Sequence, residues 1–262
     1  RSSTTAALLR PFGQEAGHRR RYVGLAQDAA MTETACGHES RIGPGLGVGP
    51  AVLPRHVDIV LIVDDHFATR LGLAMPVNNE PDMEVVGEAG TGSHALDLYR
   101  RLTPDVVLMD YQLPDMSGVM TLSALRATHP DARVIILTIL DGEEDVFRAV
   151  EAGARGYLTK SCECEDVLRA IREVAGGGKF FPAEIAAKIE ARKKRSPLSD
   201  RELEILRLLV RGHSTKEIVD ILKLSMGTIR LHISLILSKL GAYDRTNAVA
   251  IAIERGIVHV GE

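Results

Sequence analysis

The sequence has 262 residues, of which 45% are hydrophobic and 26% charged, and its net charge is −3. This length favours two compact units over one small domain, and the composition excludes a fibrous repeat or a wholly disordered chain. The near-neutral charge argues against a general polycation, although one segment can still carry a basic surface. No apolar run approaches the roughly 20 residues that a membrane-spanning helix needs, so we expect no membrane partner.

The cysteines are Cys36, Cys162 and Cys164, an odd number in a chain without an evident secretory signal. We therefore predict reduced thiols and a cytoplasmic location. Cys162 and Cys164 are spaced to share a soft metal, but no second cluster completes a tetrahedral site. We interpret this stretch as a solvated loop, with a metal site as the minor alternative.

Residues 1–55 are rich in Arg, Gly, Ala, Ser and Thr and show no sustained periodicity. They include a Gly/Pro run at 43–54, and together these features predict a disordered leader. The Arg-rich start resembles an organelle transit peptide. The preferred interpretation is an upstream extension or a segment added for recombinant expression. Met31 is a candidate start of the native protein.

Residues 56–177 alternate short apolar runs with stretches typical of amphipathic helices. The five runs are VDIVLIVDD, MEVVGEA, DVVLMD, RVIILT and ARGYLTK. Three of them are apolar at successive positions, which is typical of parallel strands covered by helices on both faces. The pattern predicts an α/β fold with a doubly wound parallel five-stranded sheet, whose site lies at the carboxyl ends of the strands. Pro76 should kink or end the first helix early.

Residues 178–196 are predicted to form a partly helical linker, and residues 197–262 show helical patterns with no strand pattern. The helices are expected at 200–211, 215–223, 226–240 and 246–255. The chain should therefore end in a small all-α domain.

Polar residues end several of the predicted strands: Asp64 and Asp65 the first, Asp110 the third, Thr138 the fourth and Lys160 the fifth. Three carboxylates on one edge would repel one another unless a cation such as Mg²⁺ lay among them. This predicts a phosphoryl-acceptor site in which Asp110 attacks phosphorus, Lys160 pairs with the phosphoryl charge and the Thr138 hydroxyl hydrogen-bonds it. Taken singly, each residue has an ordinary alternative as a helix cap, strand residue or solvated lysine.

The motifs VLIVDDH, VVLMDYQLPDMSG, VIILT and GYLTK resemble those of the response-regulator receiver family, which has the CheY-like fold. The resemblance implies that a sensor histidine kinase phosphorylates Asp110. It also implies that Mg²⁺ is bound by Asp64, Asp65, Asp110 and the backbone carbonyl of Gln112. Thr138 and Tyr157 would be the switch residues, the pair that couples phosphorylation to the rest of the protein. Such a protein is not an enzyme; at most it phosphorylates itself from small donors and hydrolyses its own phosphoryl group.

The helices at 215–223 and 226–240, with a turn at Leu224 and an N-cap at Ser225, fit a helix-turn-helix. Helical spacing directs one set of residues toward the core, namely Ile229, Ile233, Ile236 and Leu240. Residues 198–258 are similar to the LuxR-type helix-turn-helix of the NarL/FixJ subfamily. By that resemblance, Arg230, Leu231 and Ser234 read base edges of double-stranded promoter DNA. The expected phosphate contacts are Thr215, Lys216, Thr228 and Lys239.

Residues 197–262 contain nine Lys and Arg against eight Asp and Glu, so one copy should bind DNA modestly. A homodimer on a two-fold site would compensate, and the resemblance places a dimer contact on the last helix, at Ala248, Val249, Ala252 and Ile253. Leu235, an apolar residue at an outward position, keeps open the alternative of a protein-docking module.

Together these features predict a two-component response regulator in which phosphorylation of Asp110 controls sequence-specific DNA binding and transcription. One alternative is a constitutive or ligand-gated DNA-binding protein with a vestigial receiver. Another is a hydrolase that acts through an aspartyl phosphate, which the sequence favours little because no carboxylate lies two residues after Asp110 to serve as general acid.

Overall fold

The structure, a computed structural model, describes residues 57–259, so the predicted leader and Cys36 lie outside the described residues. Five strands form one sheet: β1 Asp58–Val63, β2 Met83–Ala89, β3 Val106–Met109, β4 Val134–Thr138 and β5 Gly156–Thr159. Their order is β2-β1-β3-β4-β5 and every neighbouring pair is parallel. The predicted doubly wound α/β fold is confirmed, and the carboxyl ends of β1 and β3 lie side by side.

Five helices cover this sheet: α1 Phe67–Asn79, α2 Gly92–Leu102, α3 Gly118–Thr128, α4 Glu143–Glu151 and α5 Cys164–Ala175. Alternate side chains of β1 enter different cores, because successive residues of a strand point to opposite faces. Leu61 and Val63 pack with residues of α2, α3 and α4, whereas Val60 and Ile62 pack with residues of α1 and α5. This two-sided burial explains why the strands are apolar at successive positions.

The region predicted as a partly helical linker contains α6, Ala183–Lys193. Two of its apolar side chains, Ile185 and Ile189, are buried in the core that α2, α3 and α4 share. This helix is therefore packed on the α/β region rather than solvated on all sides.

Four helices follow: α7 Asp200–Val210, α8 Thr215–Leu222, α9 Met226–Leu240 and α10 Arg245–Glu254. They enclose a separate apolar core. Capping boxes start α7, through Ser199 and Glu202, and α8, through Ser214 and Glu217. Each predicted helix is present within one residue of its expected bounds, because the sequence carries these start signals.

The structure corrects two local predictions. Pro76 does not end α1 early: the helix continues through it to Asn79, because burial of Ala74 and Val77 in the core holds its last turn. The stretch Cys162–Cys164, predicted to be a solvated loop, is only partly one, since Cys164 begins α5 and Cys162 packs against the core.

Within residues 57–259, no single helix is long and apolar enough to cross a membrane. Helices α8 and α9 satisfy the length and composition test only as a pair, and that pair is bent by 113°.

Candidate functional site

An acidic cluster lies at the carboxyl edge of the sheet, where β1 and β3 end. Asp64 and Asp110 directly follow these strands and are 2% and 5% exposed. One ligand atom from each of Asp64, Asp65, His66 and Asp110 lies within 4.8 Å of the others. His66 was not predicted as a site residue, although its position next to the acid pair is a usable signal; its Nδ1 lies 2.7 Å from Asp65 Oδ1. The structure thus brings together the three predicted carboxylates.

Lys160 follows β5 and spans the two buried carboxylates. Its Nζ lies 2.7 Å from Asp64 Oδ2 and 2.7 Å from Asp110 Oδ2. Burial alone would lower the pKa of Lys160, but hydrogen bonds with Asp110 and Asp64 outweigh it and raise the pKa. The ammonium group carries one positive charge, whereas Asp64, Asp65 and Asp110 can together carry three negative charges. Lys160 therefore offsets only part of the negative charge at this site.

The loop after β3 is shaped by Gly118. A Cβ atom there would lie 2.0 Å from the carbonyl oxygen of Asp110, so only glycine fits without a backbone shift. The Gly118 amide donates to the Tyr111 carbonyl at 2.7 Å, and the Gln112 amide lies 3.3 Å from Asp110 Oδ1. The loop therefore packs tightly against the backbone of Asp110 and Tyr111.

The same loop is tied to α2 by Asp115. Its carboxylate accepts from the amides of Gly92 and Ser93 at 2.8 and 2.9 Å. These backbone hydrogen bonds, with that from Ser93 the strongest, hold the pKa of Asp115 well below its ordinary value. A charged carboxylate at this helix N-terminus is favourable, and it anchors the loop.

The predicted coupling pair meets at the backbone of Leu140. Thr138 Oγ1 accepts from the Leu140 amide at 3.2 Å, and the Tyr157 hydroxyl donates to the Leu140 carbonyl at 2.8 Å. Thr138 and Tyr157 are fully buried, and burial raises the pKa of Tyr157. The sequence did not reveal that Leu140 joins the pair, because the link uses only its backbone.

Helix α9 presents the predicted base-reading residues outward. Arg230, Leu231 and Ser234 are exposed, whereas Ile229, Ile236 and Leu240 are buried and Ile233 packs against the helical core. Ser225 caps the helix by accepting from the Thr228 amide at 3.1 Å. The outward face of α9, formed by these three exposed residues, is accessible to solvent.

The residues predicted to contact phosphates divide into two groups. Thr215 begins α8, Lys216 is exposed beside it, and Thr228 lies in the first turn of α9. Lys239 lies elsewhere: its Nζ donates to Glu202 Oε2 at 2.7 Å and to the Pro197 carbonyl at 3.0 Å. Lys239 therefore holds α9 to the start of α7.

The four residues expected at a dimer contact do not share one surface. Ala248 and Ala252 are fully buried in the helical core. Ile253 is 40% exposed, and Val249 is partly buried. Of these four residues, Val249 and Ile253 are the ones that a partner could reach.

Replacing Glu202 with Gln should lower the free energy of unfolding by about 1 kcal/mol at pH 7. Burial alone would raise the pKa of Glu202, but the Lys239 and Ser199 hydrogen bonds outweigh it and lower the pKa. The stability from this charge is present above the unfolded-state pKa of about 4.3 and is lost as pH falls through the lower folded-state pKa. Urea unfolding at several pH values should therefore show a difference between variant and wild type that is constant above about pH 5 and shrinks at lower pH.

The matched control is Glu204→Gln, because Glu204 is exposed and pairs with Arg201 within one helix. Its effect should stay below about 0.5 kcal/mol. Equal losses in the two variants would contradict a special role for Glu202.

Two family models match the chain in its two folded regions. The model described as response regulator receiver domain matches residues 60–172. The model described as bacterial regulatory proteins, luxR family, matches residues 196–252. The chain belongs to the LuxR-family response regulators. The match of the helical region to a DNA-binding family favours that function over the protein-docking alternative.

One relative of this response regulator extends over both regions. The response regulator protein VraR of Staphylococcus aureus is 36% identical over 204 residues, which are 76% of this chain and 98% of the relative. A crystal structure of a LuxR-family regulator from Aurantimonas sp. SI85-9A1 is 34% identical, with a TM-score of 0.50, and covers 52% of this chain and 98% of its own.

The fold of this response regulator also matches that of RcsB from Salmonella typhimurium. That structure has a TM-score of 0.60 and 23% identity and covers 74% of this chain and 98% of its own chain. The protein is thus a two-component response regulator with a receiver region and a LuxR-type DNA-binding region.

Proposed function

We propose that a sensor histidine kinase transfers a phosphoryl group to Asp110, and that this modification controls sequence-specific binding of promoter DNA in the cytoplasm. The observation that carries the proposal is the contact of Lys160 Nζ with both Asp64 and Asp110 at 2.7 Å. This arrangement puts a nucleophilic carboxylate beside a fixed positive charge, which suits the attack on a phosphoryl group.

Mg²⁺ fits the donor set of this site. Asp64, Asp65, Asp110 and the carbonyl of Gln112 would hold the ion, whose oxygen preference suits carboxylates and carbonyls. When bound, it would neutralise carboxylate and phosphoryl oxygens. The clustering of the carboxylate oxygens supports this choice. Lys160 offsets only one of the three negative charges, so a cation would offset the remainder.

The chain's own residues would carry out phosphoryl transfer in a single step. Asp110 forms an oxygen–phosphorus bond while the bond from phosphorus to the donor breaks, and the donor leaves with its electron pair. Lys160 pairs with the transferred phosphoryl group, and the Thr138 hydroxyl donates to it. The same site would accept a phosphoryl group from small donors and slowly hydrolyse its own acyl phosphate, without acting on other substrates.

We assign residues 56–177 to the receiver, 178–196 to a partly helical linker and 197–262 to the DNA-binding domain. Two apolar cores flank the sheet and a third lies among the last four helices, which supports this division. Helix α6 packs on the receiver side, so the linker contacts the receiver through this helix.

The direct test uses the purified full-length protein with acetyl phosphate, in the presence of Mg²⁺ or of EDTA. Intact mass measured under conditions that preserve acyl phosphates should show one added phosphoryl group with Mg²⁺ and none with EDTA. The modified protein should then bind a selected DNA duplex more tightly. An unchanged mass in both conditions would favour a vestigial receiver.

For DNA, we propose that α9 enters the major groove, with Arg230, Leu231 and Ser234 at base edges. Thr215, Lys216 and Thr228 would contact phosphates near the start of the two helices. The open outward face of α9 supports this arrangement, and the RcsB structure concerns DNA interaction by that relative. Two copies on a two-fold site would supply the affinity that one nearly uncharged domain lacks.

Arg230→Ala and Lys216→Ala should have different effects on DNA binding. Loss of Arg230 should relax base preference, at a cost of about 1–3 kcal/mol on the preferred sequence. Loss of Lys216 should weaken all sequences alike and reduce the salt slope by about one. Fluorescence anisotropy on preferred and scrambled duplexes across a salt series separates the two effects.

A matched control is Lys193→Ala, since Lys193 is an exposed lysine of α6 that pairs with Glu190. It should leave both affinity and salt slope unchanged. Identical effects of Arg230→Ala and Lys216→Ala on every duplex would contradict the assigned roles.

A further inference from the structure

Two cysteines, Cys162 and Cys164, follow Lys160 closely where the chain enters helix α5. Both are free thiols; Cys164 is exposed and Cys162 is half-buried. Burial, and to a smaller extent the nearby Asp166 carboxylate, raises the pKa of Cys162. Cys164 is therefore the thiol that a dissolved oxidant meets first.

A cavity of about 280 Å³ between α1 and α5 brings the two thiols together with Lys160. Its lining combines these three side chains with apolar residues of both helices, such as Leu73 and Leu168. A water molecule occupies roughly 30 Å³ in the liquid, so a cavity of this size admits a small uncharged oxidant such as hydrogen peroxide. Such an oxidant can therefore reach both sulfur atoms.

The backbone between the two cysteines suits a disulfide. Glu163 has a φ of −70° and a ψ of 154°, close to the polyproline II conformation. In that conformation, residues two positions apart have Cα atoms roughly 6.5 Å apart, near the upper end of the range of about 4.4–6.8 Å that disulfides span. Closing the bond would therefore contract this segment by at most about 1 Å, toward the commonest separation of about 5.5–6 Å.

That contraction acts on the turn that carries Lys160. Val167, near the start of α5, is buried in the core and holds the helix in place. The turn before the helix is held by the Cys162 amide, which donates to the Thr159 carbonyl at 3.0 Å, and by the partial burial of Cys162. Because the helix is the better buried of the two, we expect the turn to move and to displace Lys160 Nζ from the carboxylates that it contacts.

We propose that hydrogen peroxide converts Cys162 and Cys164 into a reversible disulfide, and that this disulfide slows phosphorylation of Asp110 by displacing Lys160. The effect on Asp110 rests on the proposed function, whereas formation of the disulfide does not. In a reducing compartment, a transient disulfide commonly serves redox sensing. A ring closed over a single residue is strained, and strained disulfides are readily reduced, so the modification is reversible.

The reaction balances with hydrogen peroxide as the oxidant. The Cys164 thiolate attacks one peroxide oxygen, the oxygen–oxygen bond breaks, and the departing hydroxide takes up a proton to become water, which leaves a sulfenic acid on Cys164. The Cys162 sulfur then attacks the Cys164 sulfur, the sulfur–oxygen bond breaks, and a second water leaves with the Cys162 proton. Two thiols and one peroxide thus become one disulfide and two waters, and the peroxide receives both electrons.

The first test uses the full-length protein with Cys36→Ser, which leaves this cysteine pair as its only thiols. The protein is treated with hydrogen peroxide at about pH 8, where an ordinary thiol is partly ionised, and is then alkylated and digested with trypsin. Because Lys160 and Arg169 flank the pair, both cysteines fall in one peptide, 161–169. This peptide should escape alkylation and weigh two hydrogens less, and dithiothreitol should restore both thiols.

The matched controls are Cys162→Ser and Cys164→Ser in the same background. In Cys162→Ser, peroxide oxidation should stop at the Cys164 sulfenic acid, which dimedone traps. In Cys164→Ser, no such adduct should form. A cysteine pair that is still fully alkylated after peroxide treatment of the parent protein would overturn the proposal.

The second test compares phosphorylation of the oxidised protein and of its dithiothreitol-reduced form by acetyl phosphate with Mg²⁺, followed by intact mass after removal of peroxide. The oxidised form should gain the phosphoryl group about 10- to 100-fold more slowly, since a misplacement of about 1 Å can cost about 100-fold in rate. Peroxide should leave the rates of the two serine variants unchanged. Equal rates of the oxidised and reduced forms would overturn the link to Asp110, and so would equal slowing of the serine variants by peroxide.

A third measurement keeps failure of the redox link distinct from failure of the proposed function. The Lys160 amide donates to the Thr138 carbonyl at 2.8 Å, so hydrogen exchange of peptides that include Lys160 reports movement of the turn without a phosphodonor. Faster exchange in the oxidised form supports the displacement of Lys160, and unchanged exchange overturns it. If neither form gained a phosphoryl group, the proposed function would be contradicted, while peptide mass and exchange would still decide the redox inference.

Discussion

Replacing Asp110 with Asn should abolish phosphoryl transfer to the protein and the gain in DNA affinity that depends on it. The carboxamide keeps the size of the side chain but lacks a nucleophilic oxygen anion. Wild-type protein should gain about 5- to 150-fold in affinity on phosphorylation, as is usual for allosteric coupling, and the variant should gain nothing. Intact mass and DNA anisotropy, each measured with and without acetyl phosphate and Mg²⁺, check the two parts.

The control for this substitution is Asp97→Asn. Asp97 is an exposed residue of α2 that pairs with Arg100 at 2.9 Å, so its replacement should leave phosphorylation intact. If Asp110→Asn still gained a phosphoryl group, the acceptor would be another residue. If it kept the wild-type response of DNA binding to the donor, the constitutive or ligand-gated alternative would be favoured.

The acidic cluster was predictable because it depends on topology rather than on side-chain detail. Parallel strands bring their carboxyl ends to one edge, so Asp64 and Asp110 meet once β1 and β3 are neighbours. Helix α9 was predictable from local signals instead, since Ser225 marks its start and the spacing of its apolar residues defines the buried face.

The packing of residues 255–259 against the start of α4 was not predictable from local pattern. Gly142 and Gly256 resemble ordinary turn glycines in sequence. Only the folded chain shows that Gly142 lies against the backbone of Arg255 and Gly256, and that Gly256 lies against the Asp145 carboxylate. Asp145 similarly resembles a favourable acid in the first turn of a helix. Its burial against His259 depends on how residues 255–259 pack, which no short-range periodicity encodes.

Tertiary packing also explains the role of Lys239. The resemblance to the LuxR-type helix-turn-helix implied that Lys239 contacts a phosphate. In the structure its ammonium group is held by Glu202, a residue 37 positions earlier that also closes a capping box. The sequence predicted helix α7 but not the contact between its capping residue Glu202 and Lys239.

Lys160→Met should destabilise the protein by about 3 kcal/mol when no divalent cation is present, as expected when one partner of a buried ion pair is removed. The side chains of Asp64 and Asp110 are only 3% and 6% exposed, so water replaces the lost ammonium group poorly. Added Mg²⁺ should recover part of the loss, because an ion that binds the folded state stabilises it by mass action. Urea unfolding in EDTA and in a Mg²⁺ series measures both effects.

The comparison with Lys193→Met separates charge balance at the acidic cluster from the general cost of losing a lysine. Lys193 and its partner Glu190 are both largely exposed, so this control should lose less than about 1 kcal/mol and show no Mg²⁺ dependence of that loss. Equal losses in the two variants, unaffected by Mg²⁺, would mean that Lys160 does not neutralise the carboxylates. A Mg²⁺-dependent recovery confined to Lys160→Met would instead show that cation and lysine offset the same negative charge, which is the arrangement that phosphoryl transfer to Asp110 requires.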